Sequence, residues 1–149
     1  MSSHANIVVS SRPNGRFFEG VAASGVTLSP GMCVQRDASG NFVLGRGVAD
    51  GERGDLIIVC EGFTGETKTT AYAAAARVKL FTPAAGDKVQ VLVADTEDAI
   101  AVTDKLIVDT STGLFIETVG TPESEPFEAL EALGTIAANT HCLAVATGN

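Results

Sequence analysis

The stretch from Leu28 to Val43, LSPGMCVQRDASGNFV, decides how the rest of the chain is read. Ser29-Pro30-Gly31 is turn chemistry: the proline ring presets φ and the glycine tolerates positive φ. Met32-Cys33-Val34 is a short apolar run, Arg36 to Gly40 is a polar connection, and Phe42-Val43-Leu44 is a second apolar run. Two such runs joined by polar and glycine residues predict a β-hairpin. A weaker copy follows about seventy residues on. There Thr103-Asp104-Lys105 leads into Leu106-Ile107-Val108, Asp109 to Gly113 turns, and Leu114-Phe115-Ile116 returns. In both copies a glycine stands two positions before a phenylalanine, Gly40 before Phe42 and Gly113 before Phe115. The two hairpins are read as supports of one small β-domain.

Outward from these supports the same grammar repeats. Gly20 to Thr27 is rich in small residues and is expected to start the first barrel strand. Asp55 to Glu61, DLIIVCE, has the unbroken apolar run of a buried strand. Lys88 to Ala94, KVQVLVA, alternates so that Val89, Val91 and Val93 share a face, as in a half-buried strand. Thr69 to Phe81 is ambiguous, since alanines 71 and 73–76 favour a helix while Thr69, Thr70, Tyr72 and Val78 favour strands. A short irregular or helical piece running into a strand from Arg77 to Phe81 is expected. Phe127 to Leu133 is too short for a helix before Gly134; as a strand it sets Phe127, Ala129 and Glu131 on one face. His141 to Ala146 closes the series. At least seven short strands, spaced by turns about every ten residues, predict an all-β sandwich or barrel. Residues 1–20 are expected to form an extended N-terminal arm, and 21–149 a single β-barrel domain.

Charge and chemistry narrow the function classes. With 18 acidic against 10 basic residues the net charge is −8, so the chain is poorly suited to neutralise phosphates. Direct nucleic-acid binding and adhesion to an anionic membrane are therefore not expected. Apolar runs fall far short of a membrane span, no leader-peptide pattern is present, and assembly in a reducing cytoplasm is expected. Cys33, Cys60 and Cys142 each sit inside an apolar run and read as small buried hydrophobes. The glycine-rich loop Gly45 to Gly54 lacks the lysine of a phosphate loop, and the strand after it rules out a dinucleotide fingerprint. The acidic turn Asp95 to Asp98 lacks the ligand spacing of a calcium loop. His141 and Cys142 are adjacent strand residues and point to opposite faces, so they do not form a nucleophile–base pair. Glu128 and Glu131 lack the aromatic platform of a sugar site. The expectation is a protein that is not an enzyme and uses no cofactor or metal.

The phrases Leu28-Ser-Pro-Gly-Met-Cys-Val, Ala85-Gly-Asp-Lys-Val-Gln-Val, and Phe127-Glu-Ala-Leu-Glu-Ala-Leu before Cys142-Leu-Ala-Val resemble those of the small capsid decoration (cement) proteins of tailed bacteriophages. The likeness runs loosely from Val21 to Val145 and departs at Ala71 to Ala76 and in the polar arm. It implies a small β-barrel or β-tulip-like sandwich of seven to nine short strands. It also implies a partner, the major capsid protein, with homotrimers bound to the outer surface of the virion and stabilising the expanded head. In such a role Ile7, Val8 and Val9, with Phe17 and Phe18, are the candidate contacts to the shell or to a sister subunit; core positions for Phe17 and Phe18 are the alternative. Other classes remain open: a β-barrel module binding a small ligand or glycan, or another virion part such as a tail-tube or head-fibre subunit.

Overall fold

A computed structural model describes residues 6–11, 16–45, 56–62, 67–118 and 126–147. The expectations placed on 1–5, on the Pro13-Asn14-Gly15 turn, on positions 46–55 of the glycine-rich loop, on 63–66 and on 119–125 lie outside the described residues. Eleven strands are described: β1 (Val8–Ser10), β2 (Arg16–Val21), β3 (Val34–Arg36), β4 (Phe42–Leu44), β5 (Ile58–Val59), β6 (Arg77–Thr82), β7 (Lys88–Val93), β8 (Lys105–Val108), β9 (Phe115–Glu117), β10 (Phe127–Ala129) and β11 (Thr140–Ala146). No helix occurs among the described residues. The class is all-β, as expected; the strand count exceeds seven to nine because parts of the expected arm are themselves strands. Strands begin before the expected Gly20, β1 at Val8 and β2 at Arg16, and residue 20 lies inside β2.

Five strands close a barrel in the order β7-β11-β10-β8-β9, with β9 returning to β7 through the parallel pair Val93 and Phe115. The second predicted hairpin is β8–β9, in the register Leu106 with Glu117 and Val108 with Phe115. Along one edge β7 pairs with β11 over six positions, from Val93 opposite Thr140 to Lys88 opposite Val145. Its other edge is filled in pieces. The Gln90 amide donates to the Ile7 carbonyl (2.8 Å), Leu92 to Gly31 (3.0 Å) and Ala94 to Phe115 (3.0 Å). β7 is consequently buried on both faces, not half-buried: Val89, Val91 and Val93 point into the barrel, while Gln90 and Leu92 are covered as well. Burial of the Gln90 amide is tolerated because its nitrogen donates to the Asn6 carbonyl and its oxygen accepts from Lys68 Nζ.

The remaining strands form an open lobe, with a sheet β2-β6-β5 and the hairpin β3–β4. The first predicted hairpin is thus present, with Val34 opposite Leu44 and Arg36 opposite Phe42. The Asp37 carboxylate pins its turn by accepting from the Ser39 and Asn41 amides. The two hairpins touch. Cys33 N donates to the Gly113 carbonyl at 2.8 Å, and Gly113 has φ +71° with room only for hydrogen, since a Cβ there would lie 2.4 Å from Cys33 O.

There are two apolar cores, and β5 and β6 are the wall between them. Ile58, Cys60 and Phe81 face the barrel core with Phe115, Phe127, Leu106 and Ile7, whereas Ile57, Val59, Val78 and Leu80 face the second core with Leu28, Val34, Phe42 and Tyr72. The period-2 alternation of a strand makes this double duty possible. The alanine-rich stretch is neither helix nor strand. Tyr72 plugs the second core and its hydroxyl donates to the Cys60 carbonyl (2.9 Å), after which residues 73–76 turn straight into β6. Phe127 and Ala129 are buried as expected, but the strand stops there because Glu131 turns aside, its carboxylate accepting from the Leu143 amide at 2.8 Å.

Candidate interaction surface

The predicted contact residues separate into two groups. Ile7 is fully buried in the barrel core, its amide donating to the Glu61 carboxylate (3.0 Å), and Val8 and Val9 are half-buried in β1. Those three residues act as part of the closed lobe, which the N-terminal segment completes. Phe17 and Phe18 lie on β2. Phe18 packs toward the second core, 6.1 Å from the Phe42 ring, while Phe17 is 50% exposed with its ring 4.7 Å from Phe81.

β2 pairs with β6 along all six residues, from Arg16 opposite Thr82 to Val21 opposite Arg77. No other strand among the described residues forms a ladder along its second edge, and only just past its end does Ala22 bridge Phe42 of β4 in parallel. An open edge of this length presents unpaired amides and carbonyls to solvent. Phe18 and Gly20 face the second core, with the exposed Arg16 on the same side of the strand; Gly20 is required by space, because a Cβ there would lie 2.2 Å from the Phe42 ring. The outward-facing residues are Phe17, Glu19 and Val21, of which Val21 is 43% exposed. Around them sit Lys79, its Nζ 5.0 Å from the Phe17 ring centre, and Arg77, 3.7 Å from the Glu19 carboxylate. That ion pair is solvent-exposed and contributes little to stability.

Where the second core reaches the surface it opens into a cleft of about 510 Å³ lined by Arg16, Phe17, Phe18, Arg36, Ile57 and Thr82. Arg36 lies with its guanidinium carbon 5.2 Å from the Phe42 ring centre, within cation–π range. Among the described residues neither Arg16 nor Arg36 has a carboxylate at ion-pair distance, whereas Arg77 does. Sequence reading did not join the two arginines, which are twenty positions apart and come together only because β3 and β2 border the same core. The available hint was Arg16 standing directly before two phenylalanines.

The thiols and imidazole are structural. All three cysteines are buried and unbridged. Burial pushes the Cys60 thiol up to about 12, with Glu61 adding to the effect, and Cys142 likewise to about 12, so both stay protonated at neutral pH. His141 lies with Nε2 2.9 Å from the Pro30 carbonyl, and burial holds its pKa below the ordinary 6.5.

No protein-family model matches this chain, and no curated protein sequence matches it. Among solved structures the chain is similar to the N base of head fiber gp8.5 of bacteriophage phi29. The TM-score is 0.52 over 90% of this chain and 97% of that one, at 12% sequence identity. The likeness spans both the barrel and the open lobe, and at this identity what is shared is the fold.

Proposed function

We propose that this chain is a structural protein of a tailed-phage virion, carried on the outer surface of the head. The observation that supports the reading most is the fold likeness over nine-tenths of the chain to a part of a phage head fibre. The decoration-protein phrasing of Leu28 to Val34, of Ala85 to Val91 and of Phe127 to Leu133 points the same way. The working partner is the major capsid protein, with self-association as a homotrimer. Many modest contacts repeated over a shell multiply a weak individual affinity, so no deep active site is needed. Within this reading the chain cements the expanded shell. The second reading, favoured by the likeness to the N base of a phage head fiber, is a base that fastens a projecting appendage.

Co-sedimentation of the purified chain with expanded and unexpanded heads of its phage tests the proposal. Saturable binding to expanded heads, with greater resistance to heat, supports a cement. Binding at a low copy number without stabilisation, and with projections visible by electron microscopy, supports a fibre base. Absence of binding to either form of the head rejects both.

A further inference from the structure

We infer that the open edge of β2, with the cleft beside it, is a docking site for an extended acidic–apolar peptide segment of a partner protein. The inference deepens the head-surface reading by naming the chemistry of the partner. Three observations converge on the site. First, β2 is six residues, about 20 Å, long, and no described strand forms a ladder along its outer side before the Ala22–Phe42 bridge that closes its far end. An added strand satisfies those amides and carbonyls, which is the usual physics of strand addition. Second, two of the three large hydrophobic side chains left exposed among the described residues, Phe17 and Val21, stand on this strand and share its outward face. Third, the charge here runs against the rest of the molecule. The chain carries −8 overall, yet Arg16 and Arg36 line the cleft with no acidic partner among the described residues, and Lys79 lies over Phe17.

Sign decides the occupant. A second copy of the chain docked through its own β2 brings Arg16, Arg36 and Lys79 of both molecules to one seam, between two bodies each of charge −8. A foreign acidic strand brings carboxylates to those same cations. Side chains of the added strand alternate between faces. On the side of the second core, an apolar group rests on Phe18 and Ile57, and a carboxylate at the mouth meets the Arg16 and Arg36 guanidiniums and the Thr82 hydroxyl. On the other side, apolar groups cover Phe17 and Val21.

The test uses the full chain and a fluorescein-labelled peptide of alternating glutamate and valine, followed by fluorescence anisotropy. The same peptide with glutamine in place of glutamate is the neutral control. The Glu/Val peptide should bind and weaken with rising salt, and the Gln/Val peptide should bind at least tenfold more weakly. Arg16→Gln and Arg36→Gln should each cost about tenfold in affinity, and the double variant about a hundredfold. Lys88→Gln, an exposed cation in the barrel lobe, should change nothing. Thermal melting of the double variant should stay close to the parent, because both arginines are exposed, neither has an ion-pair partner among the described residues, and the cation–π contact of the exposed Arg36 with Phe42 adds little. Equal binding of both peptides, no binding, or an undiminished double variant would overturn the inference. So would sedimentation showing an oligomer that the Glu/Val peptide dissociates, since the edge would then belong to a second copy. The free protein is measured here, so failure leaves attachment to heads as a separate result.

Discussion

The barrel lobe and the open lobe are built from the same short strands, yet they treat their edges in opposite ways. In the barrel, both edges of β7 are occupied, the second one by Ile7, Gly31 and β9 in turn, and its residues are buried on both faces. In the open lobe, β2 has a laddered partner on one side only among the described residues and leaves Phe17 and Val21 half in water. The contrast teaches where stability and recognition reside. Apolar area in the barrel is committed to this chain's own fold, and the apolar and cationic surface of β2 remains available to others.

The sharpest way to break that division is to remove residues 1–20. If they were a detachable arm the barrel would survive; with Ile7 in its core and β2 flanking the shared wall, the truncated chain should fail to fold cooperatively, as read by circular dichroism and calorimetry. Next in size is a pair of matched truncations. Phe127→Ala removes a fully buried ring set edge-on to Phe115 at 5.4 Å and should cost about 3–5 kcal/mol. Phe17→Ala, in the open lobe, should cost about 1 kcal/mol or less. Comparable losses for the two phenylalanines in chemical denaturation would erase the proposed division. Gly113→Ala probes the seam between the lobes. A side chain at φ +71° and 2.4 Å from Cys33 O should cost about 1–3 kcal/mol, measured the same way.

The smallest effect is a pH dependence. His141 stays neutral in the fold because burial lowers its pKa below 6.5, so below that value the unfolded chain binds the proton more readily than the folded one. Its stabilising share is therefore complete above pH 6.5 and is lost as pH falls toward the depressed folded value. Thermal melts across pH 5 to 8 should show this loss in the parent, and His141→Phe should flatten that part of the profile.

How much of this was legible beforehand follows from the range of each signal. Both hairpins were readable because their turns are local: Asp37 binds amides two and four residues on, and Gly113 sits in a tight turn. The face of Val89, Val91 and Val93 was readable from alternation, but the burial of Gln90 and Leu92 was not, since it depends on Ile7 and Gly31 arriving from far along the chain. DLIIVCE was read as one buried strand. Only Ile58 and Val59 are paired as strand, while the flanking Ile57 and Cys60 divide between two cores, a distinction that a continuous apolar run does not encode. Phe17 and Phe18 were singled out only by their place in the expected arm, and both line the cleft. The arginine cleft was missed because it is a product of tertiary packing between β2, β3 and β5.

The piecemeal seam along β7 also sets a timetable for the growing chain. β7 lies mid-sequence at residues 88–93, its first neighbour Ile7 has long since been made, and its main partner β11 ends only at residue 146. Until then a strand rich in valine, meant to be covered on every side, waits on the ribosome with most of its partners missing. Contacts so distant in sequence place the chain among slow folders, on the millisecond-to-second scale typical of barrels dominated by non-local pairing. That interval is when the chain is most exposed to aggregation, so slower synthesis at low temperature should raise the soluble yield more than any change to the finished surface.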